Sequence, residues 1–498
     1  MMESVDALDW QTWGPEAFAQ AEAEQKPILL TVGAAWSFGS AEMLRTTYRD
    51  VEVRQLVERF FVPIWVDADD RPDINDRYNL GGWPTTAFLT PTGQLLGGQT
   101  FTDSTRMAQL LQQVSSAYAT RHEEFSSAKG QHQNPVTVQK DGNVDLKIDL
   151  GLEAWLVSHL SEAFDQEYGG FGRATKRVQE FPLLFLFKRC HDDTTVLREI
   201  ATKTLDAIGS SPLFDNIEGG VFRYTEHRDW SQPQVEKLLG VNAGAVRVFL
   251  EGWSAFQNPR YRECAIQIIR YASNTLAEPS SGGFFSSQLG DDVYYAATAA
   301  QRQRLEAPVV DRAVYAAANG EMARSLVRGA ELVNDSSLLE QAVATLDRVM
   351  ETYQRGEGVG HRVDDSNGVR GLLVDQVAVG EALYDAYLAT RQEVYLDLAQ
   401  ELMLFAMRTL WNKRVSAFVD RVVAADDVGL LRQTITPFSV NCRAASLLAR
   451  LGRATDNADF EARAQTVLAS QAKVARNHSV DAAVYVLACR EVCFSEAS

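Results

Sequence analysis

Glycine clusters recur between helical patterns over the last 350 residues of the chain. The clusters are Gly169–Gly172, Gly219–Phe222, Gly282–Phe285 and Gly356–Gly360. Successive clusters begin 50, 63 and 74 residues apart, and the apolar residues between them repeat at helical rather than strand spacing. Two helices with their two loops fit each interval, and about twelve helices of typical length fill such a segment. The pattern predicts an all-α (α/α)6 toroid over residues 149–498.

The first 120 residues carry strand patterns instead. Short apolar runs at Pro27–Gly33 and Phe61–Asp67 flank a stretch with helical spacing, which predicts two parallel strands joined by a helix. A third run, Gly81–Thr90, is followed by a turn, a short fourth strand and a closing helix. This order is typical of an α/β thioredoxin-like domain, which we assign to residues 1–125. The polar, aperiodic stretch 126–148 is predicted to be a linker.

The chain is strongly acidic, with 48 Lys+Arg against 66 Asp+Glu and a formal net charge of −18. Nucleic acids and anionic membranes attract basic proteins, so neither is expected as a partner. The longest apolar run of note, Leu183–Phe187, is too short to span a bilayer, and the first residues lack the basic and apolar regions of a signal peptide. Five scattered cysteines fit free thiols in a reducing compartment, so we expect a cytoplasmic protein without a transmembrane segment.

No cofactor or metal site is expected from the sequence. The seven histidines are isolated from one another, no His/Cys cluster has metal spacing, and no glycine loop followed by Lys-Ser/Thr is present. The string from Asp67 to Asp73 offers four carboxylates, but a calcium loop needs Gly at its sixth position and Glu at its twelfth. The sequence has Pro72 and Tyr78 there. We interpret the string as a strand end followed by a capped turn.

Several long strings resemble a known family. Lys26–Ile28, Val66–Asn75 and Gly81–Pro91 resemble the thioredoxin-like domain of the spermatogenesis-associated, YyaL-type proteins. Further along, Gly220–Tyr224 and Thr436–Asn441 resemble the helical toroid of the same family, which is similar to six-hairpin glycosidases and sugar epimerases. The resemblance covers nearly the whole chain and implies the same order of a thioredoxin-like domain and a toroid.

The chain departs from this family at the redox site. The family places Cys-His-Trp-Cys-His just after its first strand, whereas Ser37 and Ser40 occupy the two cysteine positions here. A thiol at the start of a helix ionises readily, but a serine hydroxyl neither ionises there nor forms a disulfide. Phe38, Gly39 and Ala41 replace the other three residues of the motif. We therefore identify the chain as a degenerate member without dithiol redox activity and assign it no catalytic residue.

The resemblance leaves a peptide-docking edge beside the lost cysteines. In the family, a cis-proline at the position of Trp83-Pro84 faces the start of the helix and presents backbone to an extended peptide. Exposed aromatic residues beside an irregular backbone edge suit such binding. Trp36, Phe38, Trp83 and Pro84 are therefore candidates for docking a protein or peptide.

The chain also departs from the family where polar groups would line the mouth of the toroid. Gln234 stands where the family has His, Val241 where it has Asp, and Leu289–Asp292 where it has Asp-Ala-Asp-Ser. An arginine beside aromatic rings suits stacking on a sugar or holding an anion. The candidate pocket residues are Arg223, Tyr224, Trp230, Gln234, Glu236, Lys237, Asn242 and Asp291.

Two functions remain open. The leading hypothesis is a non-catalytic binding or assembly protein, because both expected sites have lost their chemistry. The toroid would then hold a sugar-like or anionic small molecule. The alternative is a carbohydrate-active enzyme of the glycoside hydrolase or sugar epimerase type, which needs titratable groups near the substrate. The candidate carboxylates are Asp165, Glu236, Asp291, Asp292, Asp364 and Asp365. Glu236 and Lys237 are more typical of a cap or a salt bridge, and Asp364 and Asp365 of the start of a turn.

Overall fold

The computed structural model describes residues 8–127, 147–190, 195–365 and 368–494. The chain divides into two compact units. The first comprises Met1–Val138 and Arg421–Ile435, and the second comprises Gln139–Asp420 and Thr436–Ser498. Within the described ranges, no helix combines the length and the apolarity that crossing a membrane requires.

The first unit is built on a four-stranded sheet. Its strands are β1 (Ile28–Gly33), β2 (Val62–Asp67), β3 (Thr85–Leu89) and β4 (Leu95–Gln99). They lie in the order β2-β1-β3-β4, with β1 and β2 parallel and the other two pairings antiparallel. Every residue of β1 is buried, which is why its sequence is a continuous apolar run without alternation.

Five helices accompany this sheet, and the sequence predicts two of them, the helix before the second strand and the closing helix. They are α1 (Pro15–Ala23), α2 (Phe38–Arg45), α3 (Val51–Phe60), α4 (Pro72–Tyr78) and α5 (Ser104–Ser127). The carboxylate of Asp50 caps α3 by accepting from two backbone N–H groups of its first turn, and α3 packs against α5. The parallel pair, the hairpin and the closing helix confirm the thioredoxin-like half of the predicted fold class.

A segment from far along the chain completes the first unit. The Tyr78 hydroxyl donates to the Gly93 carbonyl and accepts from the Leu430 N–H, both at 2.8 Å. The Arg77 guanidinium donates to the carbonyls of Leu430 and Gln433. Gly93 has a φ of 84°, and a Cβ there would lie 2.3 Å from the Cα of Gly429. The prediction of a toroid over residues 149–498 is therefore wrong for residues 421–435, because helical and glycine patterns alone do not show which unit a loop packs on.

The second unit consists of helical hairpins. Its outer helices are α6 (Leu152–Ala163), α8 (Thr195–Ser210), α10 (Pro259–Tyr271), α14 (Ser336–Met350), α16 (Glu393–Thr409) and α18 (Ala458–Gln471). Its inner helices are α7 (Glu180–Arg189), α9 (Leu239–Phe256), α13 (Ala316–Val333), α15 (Leu373–Thr390), α17 (Phe438–Thr455) and α19 (Ala483–Cys493). Each inner helix contacts the next, and α19 contacts α7, so the inner ring closes. The (α/α)6 toroid that the sequence predicts is confirmed.

Short elements lie in the long loops that lead into the inner helices. The helices among them are α11 (Asp292–Ala296) and α12 (Ala299–Arg302). The strands are β5 (Tyr224–Thr225), β6 (Pro233–Gln234), β7 (Lys237–Leu238), β8 (Ser287–Gln288), β9 (Val310–Asp311), β10 (Trp411–Asn412) and β11 (Ala417–Phe418). At their opposite ends, α9, α13, α15 and α17 lead through short turns into the next outer helix. Four of those helices end at a residue in the left-handed conformation, as Asn334 does after α13.

A side-chain amide ties each of four long loops to the inner helix that follows it. The amide belongs to the fourth residue of the helix, and it accepts from the N–H and donates to the C=O of one loop residue. The pairs are Asn242 with Val221, Asn319 with Phe284, Gln376 with Val359 and Asn441 with Phe418. All four amide residues are fully buried. We call these contacts the amide clamps.

Replacing one clamp residue should destabilise the second unit. Asn242→Ala leaves the buried N–H and C=O of Val221 without partners, so we expect the free energy of unfolding to fall by about 1–3 kcal/mol. Urea denaturation measures the loss, and hydrogen exchange at the Val221 amide should accelerate. Asn477→Ala, at an exposed asparagine, is the matched control and should change neither quantity. An Asn242→Ala protein as stable as the control would show that the clamp is dispensable.

Candidate functional site

The two serines that align with the cysteines of the family form hydrogen bonds to backbone groups and do not face solvent. Ser37 caps α2, its Oγ accepting from the Ser40 N–H at 3.3 Å and donating to the Trp83 carbonyl at 3.2 Å. The Ser40 Oγ accepts from the Ala34 N–H at 3.2 Å. Both side chains are buried. The hydroxyls thus stabilise the start of α2 and the loop before β3.

One of the four candidate docking residues is exposed. Phe38 is 63% exposed, whereas Trp36 is buried, its indole N–H donating to Asp69 at 2.7 Å. Trp83 is half-buried, donates to Asn75, and its ring meets that of Trp36 edge-on. The Trp83-Pro84 bond is cis, as the resemblance implies. The expectation of an exposed Trp36 is therefore wrong, because the sequence did not show that Asp69 lies within reach of its indole.

A titratable carboxyl lies at the end of β2. Burial raises the pKa of Asp67 to about 7, and the neighbouring charges of Asp69 and Asp70 add to the rise. Asp67 accepts the N–H of Asp69 at 2.8 Å, so the string turns sharply after the strand, as the sequence analysis expected. Among the described residues of the first unit, Asp67 is therefore an acid that changes charge near neutral pH.

The elevated pKa of Asp67 predicts a pH-dependent stability. A carboxyl whose folded pKa is about 7 favours folding below its unfolded pKa of about 4, and this contribution is lost as the pH rises through 7. Asp67→Asn does not titrate at this position. The melting temperature of the variant minus that of the wild type should therefore increase as the pH is raised from 4 to 8. Thermal unfolding followed by circular dichroism measures this. Glu58→Gln, at an exposed position, is the control, and a pH-independent difference for Asp67→Asn would contradict the assignment.

Lys237, a candidate pocket residue, is part of a structural ion pair. Its buried ammonium donates to Asp215 at 2.7 Å and to the Gly219 carbonyl at 2.8 Å. Burial lowers the pKa of Lys237 to about 8, although Asp215 opposes the fall. The preceding glycine turn repeats the arrangement, with Lys176 donating to Asp165 at 3.1 Å. These lysines hold the glycine turns closed, so Lys237 does not face a ligand.

Three other candidates are also occupied by internal contacts. Trp230 is only 2% exposed and its indole N–H donates to the Tyr168 carbonyl at 2.9 Å, so it offers no face for stacking. Asn242 forms an amide clamp, and Asp291 caps α11 by accepting the Tyr294 N–H. The stacking role expected for Trp230 is therefore wrong. Its indole is buried because it donates to the carbonyl of Tyr168, which lies in a different loop.

The remaining candidates lie around the β5–β6 pair. The Arg223 guanidinium lies over the Tyr224 ring, 4.6 Å from its centroid, and 3.4 Å from the buried Glu236 carboxylate. Tyr224 is opposite Gln234 in the strand pair, and Gln234 donates to Glu226 at 2.6 Å. The structure thus brings Arg223, Tyr224 and Glu236 together.

Charged residues that the sequence analysis did not select occupy the axis of the toroid. Arginines and carboxylates of the inner helices pair in alternation across the ring. The order is Glu180, Arg247, Glu321, Arg443, Glu381, Arg324, Asp385 and Arg450. We call this row the axial charge chain. The only sequence signal was charge at a spacing of three or four residues within otherwise apolar helices.

The axial charge chain spans inner helices that are far apart in sequence. Arg247 on α9 lies 3.0 Å from Glu180 on α7. Arg324 on α13 lies 2.7 Å from Glu381 and 2.9 Å from Asp385, both on α15. Each of these arginines contacts two carboxylates, so removing one cation leaves two carboxylates short of a partner.

The carboxylates of the chain differ in their affinity for a proton. Burial alone would raise the pKa of Glu321, but Arg443 and Arg247 outweigh it and hold the pKa well below its usual range. Burial raises the pKa of Glu180; Arg247 opposes the rise and Glu321 adds to it. Glu321 is therefore a fixed anion, and Glu180 is the member that takes up a proton more readily.

A cavity of about 300 Å³ lies beside the axial charge chain. Its wall includes six members of the chain together with apolar side chains of α7. These residues are Glu180, Arg247, Arg324, Glu381, Arg443 and Arg450, with Phe181, Leu184 and Phe187. Guanidinium groups offer donors and carboxylates offer acceptors in fixed positions, which suits a small polar ligand.

Comparison with known proteins supports both halves of the resemblance. Residues 2–136 match the family Thioredox_DsbH, described as "Protein of unknown function, DUF255". The chain is 27% identical to spermatogenesis-associated protein 20 of Homo sapiens over 314 residues and 26% identical to that of Mus musculus. Each alignment covers 58% of this chain and spans only 40% of the length of the curated relative. The resemblance to the spermatogenesis-associated family is confirmed.

Solved structures are similar to the chain in fold. Cellobiose 2-epimerase from Spirochaeta thermophila matches with a TM-score of 0.52 and 14% identity, over 64% of this chain and 83% of that chain. A sugar epimerase from a ruminal bacterium matches with a TM-score of 0.51 and 11% identity, over 63% and 82%. D-mannose isomerase also matches, with a TM-score of 0.51 and 11% identity, over 66% and 87%. At these identities the likeness shows the six-hairpin toroid fold alone.

Proposed function

We propose that this chain is a non-redox, non-catalytic binding protein whose toroid holds a sugar-like or anionic small molecule beside the axial charge chain. The observation that supports this most directly is the alternating pairing of arginines and carboxylates around the 300 Å³ cavity. A pyranose carries several hydroxyls that both donate and accept, and such a wall supplies partners of both kinds. An acidic sugar would gain from the arginines in addition.

Binding without turnover follows from the state of the carboxylates. General acid–base catalysis needs a group whose pKa lies near the working pH. Arginines hold the pKa of Glu321 well below its usual range, so this member of the axial charge chain stays an anion and does not supply protons. Each arginine keeps its charge at any physiological pH. The arginines of the axial charge chain are thus equipped to orient a ligand without exchanging protons with it, and Glu180, whose pKa burial raises, is the member that favours the second candidate below.

The proposal extends to partners and location. Phe38 is the exposed aromatic beside the cis-Pro84 loop, so a protein or peptide partner of the first unit would contact it. The five cysteines are free thiols, and burial raises the pKa of Cys264 to about 11, which keeps it protonated and unreactive. Free thiols of this kind suit a reducing compartment such as the cytoplasm.

The first unit should be inactive as a disulfide reductase. Ser37 and Ser40 cannot form the thiolate or the mixed disulfide that such a reaction needs, and both hydroxyls bind backbone. In an insulin-reduction assay with thioredoxin reductase, the protein should give the rate of buffer alone. A Ser37→Ala/Ser40→Ala variant is the matched control and should give the same rate. Thiol-dependent turnover by the wild type that the double variant lacks would refute a non-redox first unit.

The axial cavity should bind a sugar through its arginines. Arg443→Lys keeps the charge but loses the planar fork, so we expect affinity to fall at least about tenfold. Isothermal titration with glucose, mannose, cellobiose and glucuronate measures this. Arg453→Lys is the control, since Arg453 lies on the same helix, is 36% exposed and is outside the cavity wall. Failure of all four sugars to bind, or equal affinities for the two variants, would contradict the proposal.

A carbohydrate-active enzyme is the second candidate, and Glu180 is the observation that favours it. Its carboxyl lines the axial cavity, and burial raises its pKa, as a general acid requires. Proton NMR of the same four sugars after long incubation distinguishes the two candidates. Product that forms with the wild type and is absent with Glu180→Gln would favour the enzyme. Unchanged sugars that nevertheless bind would favour the binding protein.

A further inference from the structure

The axial cavity, the space of about 300 Å³ beside the axial charge chain, has two unlike sides. Every described residue of its wall lies on an inner helix. The apolar side belongs to α7 and α19, which are neighbours in the ring, and its residues are Phe181, Leu184, Phe187, Val484 and Leu487. The arc of α13, α15 and α17 supplies only charged and hydroxyl side chains, which are Arg324, Glu381, Arg443, Ser446 and Arg450.

The axial cavity opens at the ends of the inner helices that lie away from the long loops. The side chain of Glu381, in the middle of α15, is 6% exposed, whereas those of Glu251 and Lys188, near the ends of α9 and α7, are 30% and 40% exposed. The long loops enter the ring at the opposite ends of these helices. A ligand therefore reaches the axial cavity without passing Arg223 or Gln234, which are not part of its wall.

Three arginines of the wall keep a donor for a ligand. In the axial charge chain, Arg324 uses its Nε and Nη1, and Arg443 uses its Nε and Nη2. Arg247 uses its Nη2, and its Nε lies beside Glu180. The remaining Nη of each arginine has no hydrogen-bond partner among the described residues, and none of these three atoms is buried. A carboxylate accepts such N–H groups more strongly than a neutral oxygen does.

The net charge of the wall also favours an anion. Its cations are Lys188, Arg247, Arg324, Arg443 and Arg450, and its carboxylates are Glu180, Glu251, Glu381 and Glu491. Five cations against four carboxylates leave one net positive charge. Burial raises the pKa of Glu180, which weakens the negative side further. A cationic ligand would add to this excess of positive charge, whereas an anion balances it.

The apolar side of the wall determines what the anion carries besides its charge. Leu184 and Leu487 are half-buried, so a hydrocarbon group that packs on them removes more of their surface from water. Hydroxyl groups in the same place would lose their water and gain no partner, which is unfavourable. A cavity of about 300 Å³ is at the small end of ligand sites and suits one small molecule.

We propose that the axial cavity binds a small amphipathic carboxylate, an organic acid whose carboxylate accepts from the unpaired Nη groups of Arg324 and Arg443 and whose hydrocarbon body packs on Leu184 and Leu487. The inference rests on the proposed function, which makes the axial cavity a binding site. It narrows the ligand from a sugar-like or anionic molecule to an acid with an apolar body.

Four compounds with a six-membered ring separate the effect of charge from that of apolarity. Cyclohexanecarboxylate has the carboxylate and the apolar ring, and glucuronate has the carboxylate on a hydroxylated ring. Cyclohexanecarboxamide has the apolar ring without the charge, and glucose has neither feature. Each compound is titrated into the full-length protein by isothermal calorimetry to about 10 mM.

Two variants and two controls assign the binding to the two sides of the wall. Arg443→Lys alters the charged side, and Leu487→Gln alters the apolar side. Arg453→Lys and Leu388→Gln are the matched controls, since Leu388 is an exposed leucine of α15 that lies outside the wall. Thermal unfolding establishes that each variant is folded, and the affinities of the wild type alone test the ligand class if one of them is not.

Cyclohexanecarboxylate should bind at least about tenfold more tightly than each of the other three compounds and lower hydrogen exchange in residues 180–188 and 484–491. Leu487→Gln should weaken its binding at least about tenfold and leave that of glucuronate unchanged. Arg443→Lys should weaken the binding of both acids, and the two controls should change neither.

Two results would overturn this ligand class and leave the proposed function standing. One is binding of glucose or glucuronate that depends on Arg443 and is as tight as that of cyclohexanecarboxylate. The other is equal affinity for cyclohexanecarboxylate and its uncharged amide. Failure of all four compounds to bind would overturn both proposals. Conversion of a sugar that Glu180→Gln abolishes would overturn the non-catalytic function, and the order of affinities would still test the ligand class.

Discussion

Buried side-chain amides hold the long loops of the toroid to its inner helices, and the rest of that unit depends on them. The loops have only two-residue strands, so most of their backbone groups lack a regular ladder. Each clamp satisfies one N–H and one C=O at the point where the chain enters the ring, as Asn319 does for Phe284. Because the amide side chain is attached to the helix, the position of the helix determines the position of the loop. The positions of the long loops are therefore set by helix packing.

Closing the ring creates a second constraint, since the inner helices bring charged side chains together on the axis. A buried charge without a partner is costly, and alternation of sign is the arrangement that pairs every member. The pairing determines the chemistry available there. Arginines that hold Glu321 ionised also remove it as a proton donor, while Glu180 keeps an elevated pKa. Whether the axis binds or catalyses thus rests on a single carboxyl.

Local patterns predicted the elements well. A strand that is buried on both faces, such as β1, has a continuous apolar sequence, and the helices of the hairpins show apolar residues at helical spacing. The effect of Ser37 and Ser40 on redox chemistry could also be predicted from the sequence, because it follows from the residue type and not from the fold. The axial charge chain was not, because Arg247 and Glu321 are 74 residues apart and meet only once the ring has closed. Trp230 was misjudged for the same reason, its partner Tyr168 lying in another loop. Sequence spacing shows which residues share a face, but not which distant face they meet.

The capture of residues 421–435 by the first unit has a consequence for how the protein is made. A domain at the start of a chain usually folds as soon as the ribosome has released it. Here the Tyr78 hydroxyl cannot accept from the Leu430 N–H until Leu430 has been synthesised. The first unit therefore reaches its final form only after most of the toroid has been made. Neither unit can then be lost, exchanged or duplicated by a single cut between them.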